Sequence, residues 1–140
     1  MYVKQLSVFL ENREGRLEEA LKILKDNEIN IISLSLADTS DFGLLRLIVS
    51  DPDKAKQVLK EGHFSSQVGD IIAIRISHAV GSLSQVLGSV TEADINIEYM
   101  YTLSVGIEGA SLALKTSDLE KTIEVIREQS VHIYTQAELG

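Results

Sequence analysis

The amino-acid sequence predicts an α+β fold built from two copies of one β-α-β-β-α-β unit, residues 1–68 and 69–140, packed side by side. Each copy should be an antiparallel sheet with its helices on one face. Three observations predict this: the sequence repeats itself, its apolar residues keep strand and helix periods, and turn residues fall at matching places in both copies.

The repeat is direct. Gly15, Leu17, Leu21, Ile29, Asn30, Ile31 and Gly43 fall on Gly81, Leu83, Leu87, Ile95, Asn96, Ile97 and Gly109 at an offset of 66, and Leu45, Leu47, Lys54, Val58 and Glu61 fall on Leu112, Leu114, Lys121, Val125 and Glu128 at 67. One residue has been inserted near a turn, where chains tolerate insertion.

Each copy opens with a strand, because Leu6, Val8 and Leu10 alternate, as do Ile72, Ile74 and Ile76. A helical stripe follows at i, i+3, i+4 and i+7: Leu17, Ala20, Leu21 and Leu24, then Leu83, Val86, Leu87 and Val90. Asn27 is expected to end the first helix in a left-handed conformation. The β-rich runs 29–37 and 95–103 give second strands, and turns at 38–43 and 105–109 lead into third strands at 44–49 and 110–115. Gly106 and Gly109 read as hairpin residues, not as a phosphate cradle. Asp51 and Pro52 open the second helix as N-cap and first helical residue, while Ser117 and Glu120 form a capping-box pattern. Ala55, Val58 and Leu59 in one copy, and Leu119, Ile123 and Ile126 in the other, give the buried stripes. Gly62 ends the first of these helices. Short last strands are expected at 64–68 and 131–135, with only Gly69-Asp70 between the copies. Split βαβ units of this order interleave into the ferredoxin-like sheet.

Composition narrows the function classes. With 44% hydrophobic residues the chain is globular, and 21 acidic against 13 basic residues leave a net charge of −8. Such a surface disfavours nucleic acid and anionic membranes. Without cysteine there is no disulfide, thiolate metal site or cysteine nucleophile. No apolar run approaches the roughly 20 residues of a membrane span, and Met1-Tyr2-Val3-Lys4-Gln5 lacks a secretory pattern. A cytoplasmic location is expected.

The turn from first strand to first helix is the candidate site. Copy one reads Asn12-Arg13-Glu14-Gly15-Arg16-Leu17. Glycine permits close backbone approach to a ligand, and free N–H groups at a helix start suit a carboxylate. Spacing alone favours the simpler reading, that Gly15 and Gly81 satisfy turn geometry. Arg13 and Arg16 could complement a ligand carboxylate or be solvated.

The pattern Asn12-x-x-Gly15-x-Leu17, a helix and then Ile29-Asn30-Ile31 resembles the ACT domain. Copy two repeats it with Gly81-x-Leu83 and Ile95-Asn96-Ile97-Glu98-Tyr99-Met100-Tyr101. The whole chain is similar to stand-alone tandem ACT proteins. The resemblance implies a non-catalytic regulatory protein, without a cofactor, that binds an amino acid or similar small ligand between paired units. It also implies a homodimer and allosteric control of an enzyme of amino-acid metabolism. Carried over residue by residue, it points to Asn12, Arg13, Glu14, Gly15, Arg16 and Leu17 with Asn30, Ile31 and Ile32. In copy two the equivalents are His78, Ala79, Val80, Gly81, Ser82 and Leu83 with Asn96, Ile97, Glu98 and Tyr99. His78 departs from the Asp or Asn usual at its position, so the two sites should be unequal. The alternative is a ligand-independent assembly module for a metabolic enzyme.

His63, His78 and His132 lack metal-ligand spacing. His78 could titrate near neutral pH, but a tolerated substitution is the preferred reading. Tyr99 and Tyr101 share one strand face, and packing is preferred over a ligand wall. The carboxylates Glu18, Glu19, Glu124 and Glu128 read as solvated helix exteriors. No P-loop, dinucleotide glycine signature or nucleophile elbow is present, and no acid–base pair can be placed. An RNA-binding reading of the fold fails on charge and on the missing aromatic platform.

Overall fold

The computed structural model describes residues 2–11, 13–38, 41–77, 79–104, 110–129 and 131–139. The element order is β1 (Val3–Glu11), α1 (Arg16–Asp26), β2 (Ile31–Asp38), β3 (Phe42–Val49), α2 (Pro52–Glu61), β4 (Ser65–Ile76), α3 (Ser82–Glu92), β5 (Ile97–Thr102), β6 (Ala110–Thr116), α4 (Leu119–Arg127), β7 (His132–Ile133) and α5 (Gln136–Leu139). By its contacts the chain divides into Lys4–Gly69 and, as a second unit, Tyr2 and Val3 with Asp70–Leu139.

Both units have the same sheet. In the first, β1 lies between β3 and β4, and β2 flanks β3; in the second, β4 lies between β6 and β7, and β5 flanks β6. Leu6 faces Leu47 and Val8 faces Leu45 across β1 and β3. Their repeat partners Ile72 and Ile74 face Leu114 and Leu112. A register shift between Ile31 and Ser33 recurs between Ile97 and Tyr99. The interleaved antiparallel order is the ferredoxin-like one expected from the sequence.

Burial explains the stripes. Leu6, Val8, Leu24, Leu45, Leu47 and Leu59 are fully buried in the first core, and Ile72, Val90 and Ile126 in the second. On α1 the deepest residues are Arg16, Ala20 and Leu24, and on α3 they are Val86 and Val90. Leu17 and Leu21, like Leu83 and Leu87, are only half-buried on the helix flank. The β2 edge is also left partly bare. Leu34 and Leu36 pair with the core residues Leu47 and Leu45, so they face the helix side, yet each is 50% exposed. Met100, opposite Leu114, repeats this at 36%.

Four local expectations are corrected. The first helix ends with Asn27 at φ −100°, and its side-chain amide donates to Ile23 O at 2.8 Å. The left-handed residue is Glu28, at φ 57°, with Asp94 repeating it at 59°. Gly62 does end α2, as its C-cap at φ −86°, and His63 takes the left-handed turn at 68°. Gly62 also makes room for Ile23, whose Cδ1 a Cβ there would overlap. The capping box of copy two does not form. Asp118 caps α4 by accepting from Lys121 N at 3.0 Å, while Ser117 Oγ accepts from Asn96 N. Asp51 caps α2 in the same way, accepting from Lys54 N at 3.1 Å with Pro52 first in the helix. Finally, β4 runs unbroken through Gly69-Asp70, and β7 is shorter than expected. Gly69 lacks the positive φ that a two-residue reversal needs.

A lysine ties each helix pair together. Lys54 Nζ donates to Asn27 O at 2.9 Å, and Lys121 Nζ to Ala93 O at 2.8 Å, each satisfying a carbonyl at the end of the preceding helix. No helix among the described residues is long and apolar enough to cross a membrane.

Candidate functional site

The two glycine loops share one backbone design. Gly15 and Gly81 sit at the N-caps of α1 and α3 with φ of 82° and 85°. This conformation costs an L-residue about 1–2 kcal/mol, so the turn itself favours glycine. Gly15 O accepts from Glu19 N and Gly81 O from Gln85 N, each at 2.9 Å, which starts the helix. Among the described residues neither helix receives a side-chain cap, in contrast to the aspartate-capped α2 and α4. The loops therefore present two helix starts open to an outside acceptor.

Around these starts the loops diverge. In the first unit, Arg13 N donates to Glu11 O at 2.7 Å, and the Arg13 side chain lies 3.6 Å from Glu19 Oε1 while half exposed. Arg16 is not solvated: it is 6% exposed. Its Nη1 is 2.9 Å from Glu19 Oε2, its Nη2 donates to His63 O at 3.4 Å, and its guanidinium carbon stacks 3.7 Å from the Phe64 ring centroid. Arg16 is a clamp between α1 and the segment after α2, engaged with Glu19, His63 O and the Phe64 ring. In the second unit Ala79 N donates to Ser77 Oγ at 2.9 Å instead and Val80 is fully exposed, while Ser82 N donates to Ala79 O at 3.1 Å just as Arg16 N donates to Arg13 O at 3.4 Å. Asn12 and His78, the residues on which the expected inequality of the two sites turns, lie outside the described residues, as do the hairpin glycines Gly106 and Gly109.

The structure gathers only part of the expected set. A groove of about 820 Å³ in the second unit is lined by Ala79, Gly81, Ser82 and Leu83. Sequence reasoning missed Ser77, Leu87, Gly88, Thr91 and Ala110, which also line it. Leu87, Gly88 and Thr91 fall four, five and eight residues after Leu83, so the helical period was the available signal. In the first unit a groove of about 470 Å³ holds Asn30 and Ile31 beside Leu21 and Lys25, without the loop. Asn30 and Asn96 are pinned by backbone pairs to Ser50 and Ser117, both at 2.9 Å.

The remaining strand-two residues lie elsewhere. Tyr99 pairs with Lys115 and Tyr101 with Ala113, on the face away from the helices, with rings stacked at 6.5 Å. Tyr99 is thus not on the loop's side of its own sheet. Ile32 is half-buried and Glu98 exposed.

Among the described residues no three His, Asp or Glu side chains group as metal ligands. His132 Nε2 instead lies 2.7 Å from Glu138 Oε2. The backbone N–H of Thr135 and then His132 hold the Glu138 carboxyl below its ordinary range.

Two β-α-β-β-α-β units, each opening its first helix on an uncapped left-handed glycine, define a duplicated ferredoxin-like protein of the kind the sequence resembled. The chain belongs to the family described as an ACT domain pair, which matches residues 1–140. A crystal structure of a protein from Bacteroides thetaiotaomicron is 40% identical, covering 99% of this chain and 96% of that one with a TM-score of 0.91. The ligand-free regulatory subunit of aspartate kinase from Thermus thermophilus shares the fold at 12% identity, covering 89% and 91% with a TM-score of 0.64. The regulatory subunit of aspartate kinase from Thermus flavus does so at 12%, covering 89% and 90% with a TM-score of 0.62. No curated protein matches the chain.

Proposed function

We propose that this protein is a non-catalytic regulator that binds an amino acid at the glycine loops and controls an enzyme of amino-acid metabolism in the cytoplasm. The observation that carries the reading is the capping contrast. Helices α2 and α4 begin on Asp51 and Asp118, whereas α1 and α3 begin on bare glycine. A free amino acid brings the carboxylate that those starts lack. The half-exposed helix-side residues of strand two, Leu34 and Met100, suit the second wall of such a site when supplied by a neighbouring unit. A homodimer would supply it. Aspartate kinase regulatory subunits of the same fold make control of a partner enzyme a natural use.

Isotope-edited shift mapping with a panel of amino acids tests this. The expected result is saturable shifts at Gly15, Leu17, Gly81 and Leu83. A true ligand at 100 times its dissociation constant adds about 2.7 kcal/mol of stability. Shifts that avoid both glycine loops would sink the reading.

A ligand-independent assembly module is the second reading. The exposed Phe9 and Phe42, with ring centroids 5.9 Å apart, favour it. The absence of any thermal shift across the amino-acid panel would put this reading ahead.

A further inference from the structure

The two copies differ sharply at one place in their interiors. In the first unit the Arg16 side chain fills the space between α1 and the end of α2, against Glu19, Glu11, His63 O and the Phe64 ring. The repeat puts Ser82 at the position of Arg16, Ser77 at that of Glu11, Gln85 at that of Glu19 and Val131 at that of Phe64. A long side chain has become a short one, and among the described residues no larger side chain takes its place. Around those four residues the second unit has a cavity of about 400 Å³. Ile76 and Val86 form its apolar floor, and Glu128 and Gln129 its rim.

We propose that this cavity binds a small guanidinium or amidinium cation, which takes the place of the arginine side chain that copy two lacks. The volume lies within the range of small-molecule sites. A guanidinium is flat, with N–H donors around its edge and weakly hydrated faces. The cavity offers hydroxyl oxygens from Ser77 and Ser82, amide oxygens from Gln85 and Gln129, and one carboxylate, Glu128. Val131 supplies an apolar wall where Phe64 stacks on Arg16. In copy one the same two helix ends bracket Arg16 with the Glu11 and Glu19 carboxylates beside it, and in copy two Glu128 is the carboxylate that would offset the cation. The chain's net charge of −8 also draws cations toward it. This site does not depend on the proposed amino-acid function. Gly88 and Thr91 report on the loop groove, whereas Glu128 and Gln129 report on the cavity.

Methylguanidinium and its neutral isostere methylurea, each titrated into the isotope-labelled full chain, give the test. The expected result is saturable shifts at Gln85, Glu128 and Gln129 with methylguanidinium and none with methylurea. Glu128→Gln should weaken binding about tenfold, the usual worth of one charge-assisted hydrogen bond. Ser82→Arg should abolish it by filling the cavity from within. Equal shifts from methylurea would overturn recognition of charge. Absent or non-saturating shifts would mean that the cavity holds water only. An unchanged titration in folded Ser82→Arg would place binding elsewhere, and Glu128→Gln carries the test alone if that variant does not fold.

Discussion

Removing the Arg16 side chain should destabilise the first unit by about 2 kcal/mol, and the sum can be worked from its contacts. The 2.9 Å bond to Glu19 contributes about 1 kcal/mol, because Glu19 is 48% exposed and water screens the pair. The longer approach to Glu11, at 3.7 Å with that carboxylate 70% exposed, contributes almost nothing. Stacking on Phe64 in a desolvated setting contributes about 1–2 kcal/mol. Burial of the three-carbon stem contributes about 1–2 kcal/mol more. Against these stands Arg16 Nε, buried with no hydrogen-bond partner among the described residues, which costs about 1–3 kcal/mol. Arg16→Ala loses all the favourable terms and recovers the unfavourable one. Arg16→Met keeps the stem and also removes the orphaned nitrogen, so it should lose less. Urea unfolding followed by circular dichroism gives the size, and hydrogen exchange at Leu6, Val8 and Leu45 gives the place. An alanine variant as stable as the parent, or a methionine variant less stable than alanine, would refute the reasoning.

Gly15→Ala and Gly81→Ala should each cost about 1–2 kcal/mol in denaturant unfolding, from backbone strain alone. Nothing lies within 4 Å of either new Cβ, so asparagine, which tolerates this region, should recover part of the loss. Asp51→Ala and Asp118→Ala should each cost about 1 kcal/mol through loss of a cap, measured by the same unfolding midpoint. Glu138, whose folded value is depressed below its ordinary 4.5, should stabilise the C-terminal turn at pH above 4.5 and lose that effect as pH falls through the folded value. Its carboxyl carbon should titrate below 4.5 by NMR, and Glu138→Gln should remove the acid sensitivity of Leu139 exchange.

Some features were open in the sequence yet read at the wrong residue. The offset of 67 carries Ser50-Asp51 onto Ser117-Asp118, and the structure gives each pair one job: the serine accepts from Asn30 N or Asn96 N, and the aspartate caps the helix. A local capping-box motif pointed one residue too early because it ignored that second partner. The left-handed turns at Glu28, His63 and Asp94 were harder to see, since glutamate carries no sign of positive φ and the enrichment of histidine and aspartate there is a weak one. Gly62 ends α2 as expected, and it also leaves room for Ile23.

What the sequence determined by itself was the duplicated βαββαβ order, the strand faces and the glycine-opened helices. These follow from periods of 2 and 3.6 and from the φ that only glycine adopts freely, all properties of neighbours along the chain. Tertiary structure alone decided that Arg16 lies inside, that Tyr99 faces away from the loops, and that copy two has a cavity. Each of these depends on residues 40 or more positions apart or on another strand, such as Phe64 beneath Arg16 or Val131 across from Ser82. Burial of an arginine is a sum over such distant partners, and no local pattern contains it.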